Sequence, residues 1–341
     1  MNHLVKLMVP TLALLACVPA AAHVWCVSTA VDLRAKLLLA QANGEDDTIK
    51  LVRGTYLDGG NEFNFTSTEG YALVVNGGFD AGCTQTQEDP RLTILDGGGL
   101  TQVFSTDSHG SVAIRYLTIQ NGRRDGSAGG GFQMYGTGAA SAVILAVNIF
   151  RNNTSNFATS VGAILVEGAV HLNGNLIVDN HTPAANGLSI NGGANALVYL
   201  TNNTITGNTT GNATGGFLYF TSANAASPSI YVSNNIMWGN TADSDFQFFG
   251  GGAELIDNDV GVVDGFQTSG STGNVSVTPG FVGATDYHLA ATSPLLQAGT
   301  VAPTGGLPNV DLEGHPRMFG GFVDLGVYER GDALFDDGFE L

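Results

Sequence analysis

Asparagine recurs at a regular spacing through the middle of the chain, and this repeat constrains the fold more than any other feature. Five short segments rich in strand-forming residues end at Asn121, Asn153, Asn180, Asn208 and Asn240. These asparagines follow one another at steps of 32, 27, 28 and 32 along the chain. In the last four segments, another asparagine lies five residues earlier. A repeat of this length indicates a structural unit that stacks on copies of itself.

Glycines provide a second marker with a similar period. Gly131, Gly162, Gly187 and Gly215 each open an apolar, strand-like run, and they follow one another at steps of 31, 25 and 28 along the chain. A period of about 28 residues fits a coil of two or three short strands and is too short for a propeller blade. We therefore predict an all-β fold, a right-handed parallel β-helix whose coils of about 28 residues pair about 4.8 Å apart.

In such a stack, equivalent asparagines lie above one another at the turns between strands. An asparagine tolerates the left-handed backbone of a turn, and a stacked amide can donate a hydrogen bond to one neighbour and accept one from the other. The five repeating asparagines are therefore predicted to form a structural ladder.

Charged residues are scarce and unevenly distributed. They make up 12% of the chain, and the formal net charge is −18. No lysine or arginine occurs between Arg151 and Arg317. Nucleic acids and anionic membranes attract proteins with clustered cations, so the sequence argues against both as partners.

The N-terminal segment, up to Ala22, has the pattern of a signal peptide. An apolar run from Leu7 to Ala16 precedes a small-residue site, which predicts export after cleavage near Ala22. Lipidation at Cys17 is a competing interpretation. No apolar run is long enough to predict a transmembrane segment in the mature chain. Cys26 and Cys83 are expected to form a disulfide in an oxidising compartment, although two buried free thiols would also fit.

The rest of the chain divides into three predicted parts. Residues 23–45 form an N-terminal cap, residues 46–330 form the β-helix with a C-terminal closing segment, and residues 331–341 form an acidic tail. Within the cap, residues 31–42 have the pattern of a short amphipathic helix. Because the first coil would otherwise expose its core, the helix is expected to cover it with Leu33, Leu37 and Leu38.

Several motifs resemble those of known families. Residues 150–153 (FRNN) and 162–164 (GAI) resemble the repeats of polymorphic outer-membrane proteins. Three later motifs resemble the closing segment of the choice-of-anchor Q family, with Gln297 where an aspartate is usual: 293–299 (SPLLQAG), 311–317 (DLEGHPR) and 323–329 (VDLGVYE). The resemblance implies a β-helix protein that is secreted, or associated with the outer membrane or cell surface, in a Gram-negative bacterium.

Two aspartate pairs are weak candidates for catalysis. Asp243 with Asp245, and Asp257 with Asp259, would each face one side of a strand about 7 Å apart, a separation compatible with glycoside hydrolysis. Asp257 and Asp259 could instead bind calcium through their oxygens, or simply be solvated turn residues. No other cofactor is predicted. A lyase for acidic polysaccharides is disfavoured because the middle of the chain lacks a basic side chain.

Four aromatic residues are candidates for a surface that stacks on sugars, or for core packing: Trp238, Phe246, Phe248 and Phe249. The sequence favours an exported, non-catalytic surface or extracellular protein, adhesin-like or glycan-binding, whose partner is a polysaccharide or cell-surface glycan. The alternative is a carbohydrate-active enzyme, a hydrolase or lyase, acting on a neutral polysaccharide. The sequence does not indicate an oligomeric state.

Overall fold

The structure, a computed structural model, describes residues 22–125, 129–156, 159–183, 186–211, 216–224 and 226–331. Its strands pair in parallel and form four sheets, and the predicted fold class, an all-β right-handed parallel β-helix, is confirmed. Residues 1–21 of the predicted signal peptide and residues 332–341 of the predicted tail lie outside the described residues.

Three sheets run along the solenoid. The first has nine strands: His23–Val27, Asp47–Val52, Leu73–Phe79, Val112–Arg115, Ala142–Ala146, Ala169–Asn173, Leu197–Thr201, Ile230–Ser233 and Ala253–Ile256. The second has eight: Gly54–Leu57, Thr93–Asp96, Thr118–Gln120, Ile149–Arg151, Leu176–Val178, Thr204–Thr206, Ile236–Trp238 and Asp259–Val260.

The third sheet also has eight strands: Phe63–Ser67, Phe104–Ser108, Phe132–Gly136, Thr159–Val166, Asn186–Gly192, Gly216–Ser222, Ser244–Phe249 and Val263–Asp264. A short fourth sheet, between the second and third along each coil, contains Arg123–Arg124, Thr154–Ser155, His181–Thr182 and Thr209–Thr210.

The register between strands gives the length of each coil. Leu145 pairs with Leu172, Leu172 with Leu200, and Leu200 with Val232. The numbering therefore advances by 27, 28 and 32 from one coil to the next, as it does between the amides of Asn153, Asn180, Asn208 and Asn240. The repeat in the sequence is therefore the coil of the solenoid.

The glycine markers let large rings fill the interior. A Cβ atom at Gly162 would lie 2.4 Å from the ring of Phe132 in the preceding coil, and one at Gly187 would lie 1.9 Å from the ring of Phe217 in the following coil. Both rings are buried within the continuous apolar core. Glycine is required at these positions because any side chain would displace an aromatic ring.

Buried asparagines form two ladders, one at each end of the second-sheet strands. In the first, Nδ2 of Asn153, Asn180 and Asn208 each donates to Oδ1 of the asparagine in the next coil, at 3.0, 2.9 and 2.9 Å. The second has the same geometry and comprises Asn148, Asn175, Asn203, Asn235, Asn258 and Asn274. Each Oδ1 also accepts a backbone N–H from the preceding coil, for instance that of Asn153 at Asn180.

Asn121 was predicted to belong to the first ladder, and the structure places it elsewhere. Its Nδ2 donates to the carboxylate of Asp96 at 3.0 Å, and its φ of 53° puts it in the left-handed turn position that Asn152 occupies one coil later. The residue level with Asn153 is Gly122, whose N–H donates to Asn153 Oδ1 at 2.9 Å. The ladder therefore begins at Asn153.

Helix α1 (Ala30–Ala40) covers the N-terminal end of the core. The Thr29 hydroxyl caps it by accepting the Asp32 N–H at 3.1 Å. Leu33 and Leu37 are fully buried, as predicted, but the prediction for Leu38 is wrong, because its side chain is 68% exposed. Among the described residues, no helix is long and apolar enough to cross a membrane.

The first strand, His23–Val27, lies before this helix, within the predicted cap, and pairs with Asp47–Val52. The predicted disulfide is confirmed: Cys26 is bonded to Cys83, with Cα atoms 5.7 Å apart. It links this edge strand to a loop 57 residues further along the chain. The bond restricts fraying at the N-terminal end, where a strand has a neighbour on only one side.

The closing segment (residues 279–330) lies along the outside of the second sheet. Leu312 and Val327 pack with Val147, Ile149, Leu176 and Val178. Further along, Leu289, Leu295 and Leu325 pack with Ile236. The second sheet is therefore covered on its outer side from Ile149 to Ile236, whereas its first strand, Gly54–Leu57, stays exposed.

The motifs of the closing segment meet around a buried arginine. Arg317 is 2% exposed and donates to the carbonyls of Asp324 and Gly326 at 2.7 and 2.6 Å. The buried carboxylates of Asp311, Asp324 and Glu329 surround it and accept backbone N–H groups, including that of Gln297 at Asp324. Burial, opposed by the charge of Arg317, raises the pKa of Glu329 to about 7.

Candidate functional site

The outer side of the third sheet is the candidate site, and its side chains form two rows. Every second residue of each strand points into the core, so the residues between them face outward. The first row, in register, is Asn64, Ser105, Gln133, Ala163, Ser189, Tyr219, Gln247 and Asp264. The second is Thr66, Asp107, Tyr135, Leu165, Asn191, Thr221 and Phe249. We call these two rows the third-sheet face.

Apolar groups are spaced along the third-sheet face. Leu165 is 41% exposed and Phe249 is 52% exposed, while Tyr135 and Tyr219 are half-buried. The rings of Tyr219 and Phe249 lie 5.9 Å apart and are tilted against each other. Tyr135 lies four strands from Phe249, a distance of about 19 Å at normal strand spacing. The face thus offers ring surfaces over several strands.

The four aromatic residues singled out in the sequence have three different environments. Phe246 and Phe248 are core residues. Trp238 packs against the apolar cluster beneath the closing segment. Phe249 alone lies on the third-sheet face, so the interpretation as a sugar-stacking group remains open for this residue only.

Polar side chains of the third-sheet face hold one another in place. Thr221 Oγ1 donates to Asn191 Oδ1 at 2.6 Å, and Asn191 Nδ2 donates to Ser189 Oγ at 3.3 Å. Gln247 Nε2 donates to Asp264 Oδ2 at 2.8 Å. Side chains that are already ordered lose less conformational entropy when a ligand binds. They also keep further donor and acceptor positions for that ligand, because an amide has two of each.

The electrostatic character of the third-sheet face is neutral to acidic. Its strands contain no lysine or arginine, and their exposed carboxylates are Asp107 and Asp264. At the N-terminal end, Arg124 forms a 3.4 Å ion pair with Glu62, which immediately precedes the first strand of this sheet. A face of this charge does not attract anionic ligands.

The first candidate aspartate pair does not share one side of a strand, so that prediction is wrong. Asp245 lies in the strand Ser244–Phe249 and is 8% exposed, whereas Asp243 precedes the strand and is exposed. Asp245 Oδ1 accepts Asn240 Nδ2 at 2.9 Å, and its Oδ2 accepts the Val262 N–H at 3.2 Å. Burial raises the pKa of Asp245. This carboxylate ends the first asparagine ladder.

The second pair is divided in the same way. Asp259 is fully buried in the strand Asp259–Val260, and Asp257 occupies a left-handed turn position with a φ of 52°. Asp259 Oδ1 accepts the Val277 N–H at 2.9 Å, and burial, with the nearby charge of Asp245, raises the pKa of Asp259 to about 6. A polysaccharide cannot contact a carboxylate in this position.

The arrangement of possible ligand side chains does not indicate a metal site in the described residues. Within the described part of the chain, no group of three or more His, Cys, Asp or Glu side chains is arranged to hold a metal ion. Calcium binding at Asp257 and Asp259 stays a prediction.

Apart from Phe249, sequence reasoning did not identify the residues of the third-sheet face. A signal was present in the glycine-led strands, where Gln133 and Tyr135 alternate with the buried Phe132 and Met134. The alternation gives the two sides of a strand, but it does not show which sheet the closing segment covers.

The fold and this face together define a class: a parallel β-helix with one sheet covered by its own C-terminal segment and an open, largely uncharged sheet beside it. No family model matches the chain, and no curated protein matches it significantly.

Proposed function

We propose that the protein is an exported, non-catalytic surface or extracellular protein of adhesin type that binds a neutral glycan on the third-sheet face. The observation that carries the proposal is the row of ordered amides and hydroxyls, interrupted by Tyr135, Tyr219 and Phe249, on a sheet whose strands lack basic residues. The contacts of the closing segment described above lie on the second sheet and leave this face accessible.

The chemistry of the face matches that of an uncharged sugar chain. Sugar rings present hydroxyl groups around their edges and apolar C–H groups on their faces. Amides such as Asn191 and Gln247 can both donate to and accept from hydroxyls, and the rings of Tyr219 and Phe249 can pack against the C–H groups. An acidic polysaccharide would be repelled by Asp107 and Asp264.

Binding without turnover is favoured by the positions of the candidate acids. Glycoside hydrolysis requires two carboxyl groups that reach the same glycosidic bond. Asp245 is engaged by Asn240 and Val262, and Asp259 is fully buried. A carbohydrate-active enzyme would therefore need a different pair.

Export and family are part of the same proposal. The Cys26–Cys83 disulfide is typical of proteins that fold in an oxidising compartment. The three motifs that resemble the choice-of-anchor Q family lie in contact: the Gln297 N–H donates to Asp324, and the Glu329 N–H donates to Asp311. Contact between these motifs supports a common structural role and hence the family resemblance.

A glycan array combined with turnover assays tests the proposal. We expect the parent protein to bind one or more neutral glycans and to release neither reducing ends nor unsaturated products from them. The double variant Tyr219→Ala/Phe249→Ala should bind at least about tenfold more weakly, because truncating aromatic contacts at an interface typically costs about 1 kcal/mol or more each.

The matched control is Phe322→Ala, which removes a 51% exposed ring of the closing segment, outside the third-sheet face, and should leave glycan binding unchanged. Equal binding by the parent and the double variant would contradict the assignment to this face. Release of products, abolished by Asp243→Asn or Asp257→Asn, would contradict the non-catalytic function.

A further inference from the structure

A short hairpin in the closing segment exposes three large apolar side chains next to one another. Met318, Phe319 and Phe322 are 45%, 43% and 51% exposed. Between the two phenylalanines lie Gly320 and Gly321, whose φ values of 59° and 87° make a tight turn that other residues would strain. We call residues 318–322 the apolar hairpin.

The apolar hairpin is firmly attached to the molecule. Arg317, immediately before it, is buried and donates to the carbonyls of Asp324 and Gly326. Val323, immediately after it, is fully buried. The exposure of Phe319 and Phe322 is therefore built into an anchored structure.

The turn stands clear of the rest of the protein. A Cβ atom at Gly321 would meet no atom within 4 Å, and one at Gly320 would meet only the ring of Phe322, at 3.9 Å. Such a projecting apolar turn differs from the grooves that bind small molecules, because those grooves enclose their ligands. Its convex shape suits a deformable partner, whose molecules can rearrange to surround the turn.

The two phenylalanines of the hairpin pair their backbone groups with each other. The Phe319 N–H donates to the Phe322 carbonyl at 3.1 Å, and the Phe322 N–H donates to the Phe319 carbonyl at 2.9 Å. These two residues therefore carry no unpaired backbone N–H that would oppose transfer out of water. Residues 318–322 also contain no charged side chain.

We infer that the apolar hairpin inserts into the surface of an uncharged, zwitterionic lipid layer. Phenylalanine and methionine can enter the boundary between head groups and acyl chains, and binding there increases with the apolar area that is buried. The net charge of −18 opposes approach to an anionic lipid surface. A hairpin this small gives reversible association, comparable to a single weak anchor, so it would hold the protein near a membrane without fixing it there.

Vesicle flotation with the full chain tests this inference. We expect the parent to float with phosphatidylcholine vesicles and to float less well when phosphatidylserine is included. The double variant Phe319→Ser/Phe322→Ser should partition at least about tenfold more weakly, because two exposed rings no longer enter the lipid. Phe266→Ser, a matched change at a ring that is 66% exposed elsewhere, should float like the parent.

Three results would overturn the inference: no flotation of the parent, equal flotation of the parent and the double variant, or stronger flotation with phosphatidylserine. A parent dimer that the double variant dissociates, measured by sedimentation, would overturn it by identifying a second copy as the occupant. Glycan binding should be unaffected by the double variant, so this inference and the glycan proposal can fail independently.

Discussion

The side chain of Asn180 makes as many hydrogen bonds as its chemistry allows while it is 1% exposed. Its Oδ1 accepts the N–H and the Nδ2 of Asn153, and the two hydrogens of its Nδ2 are shared among three acceptors: the carbonyls of Phe150 and Val178, and Asn208 Oδ1. An asparagine at this position therefore satisfies the backbone of its own turn and of the preceding coil at once.

Replacement of Asn180 by leucine tests the ladder. The change leaves the Asn153 N–H without its acceptor and removes the Nδ2 donor from the carbonyls of Phe150 and Val178, and each buried polar group left unpaired costs about 1–3 kcal/mol. We expect the free energy of unfolding to fall by about 3–5 kcal/mol, which thermal and urea denaturation would measure. Asn61→Leu, at an exposed amide, should change it by less than about 0.5 kcal/mol. Equal stability of the two variants would contradict a stabilising role of the ladder.

Asp259 provides a pH-dependent prediction at the same scale. Its pKa is about 6 in the folded protein and close to 3.9 in an unfolded chain, so the folded state holds the proton more tightly. Its contribution to stability is present below pH 4 and is lost as the pH rises through about 6. Neutral Asp259→Asn should match the parent near pH 4 and exceed its free energy of unfolding at pH 8 by an amount on the order of 3 kcal/mol.

Urea titrations of both proteins from pH 4 to pH 8 would measure this difference. Glu329, with a pKa of about 7, titrates in both proteins. Its contribution to the pH dependence therefore cancels when the free energies of unfolding of the parent and Asp259→Asn are subtracted. A constant difference over the whole pH range would contradict the assignment of a raised pKa to Asp259.

At the level of single residues, the sequence predicted the ladder correctly from Asn153 onward but wrongly included Asn121. Asparagine is favoured at two adjacent positions of each turn, the left-handed one and the ladder position beside it. Asn152 and Asn153 occupy both, whereas Asn121 occupies only the left-handed one and is followed by Gly122. Since spacing alone cannot separate neighbouring positions in coils of unequal length, the prediction was wrong by a single position.

Among the elements, helix α1 shows where periodicity ceases to be informative. Its sequence contains three consecutive leucines, of which Leu37 is buried while Leu38 and Leu39 are 68% and 55% exposed. A helix with leucine on more than one side gives no unique buried face. A strand such as Phe132–Gly136 is more informative, because alternation with period two separates its inner and outer residues without ambiguity.

The candidate site was harder to predict than the strands that form it. Tyr219 and Gln247 lie on adjacent strands but a full coil apart in the chain, so the register of the coils is needed to bring them together. The burial of Asp259 also depends on residues beyond its own coil, since Val277 covers one of its oxygens. The two aspartates of each pair are close in the sequence, but this closeness did not predict that one would be buried and the other would lie in a turn.

In the whole molecule, the closing segment adds contacts that a simple solenoid lacks. Coils of a solenoid contact only their neighbours, and their unfolding can begin anywhere along the stack. Here Glu313 binds Arg91 at 2.8 Å, and Asn234 Nδ2 donates to the Thr300 carbonyl at 2.9 Å. One segment thus connects coils that are separated by most of the length of the stack, and it should make their unfolding more cooperative.

Arg317→Met should separate the release of the closing segment from the unfolding of the coils. The change removes the donors to Asp324 and Gly326 and leaves three buried carboxylates without their counter-charge, a loss of about 3–5 kcal/mol when one partner of a buried ionic group is removed. In a Trp25→Phe background, Trp238 is the remaining tryptophan and reports on the closing segment, because it packs with Leu289, Leu295 and Leu325. We expect its fluorescence to change at a lower urea concentration than the far-ultraviolet circular dichroism of the strands.

In the same background with Arg317 intact, the two signals should change together, because the attached segment and the coils unfold as one unit. Arg123→Met is the matched control, since Arg123 is half-exposed and its ion pair with Asp125 lies at the surface, where such pairs add little. Coincident transitions in Arg317→Met would mean that the apolar contacts of Leu312 and Val327 with the second sheet hold the closing segment without the buried arginine. Two separate transitions would show that coupling along the stack depends on a single buried charge in its covering segment.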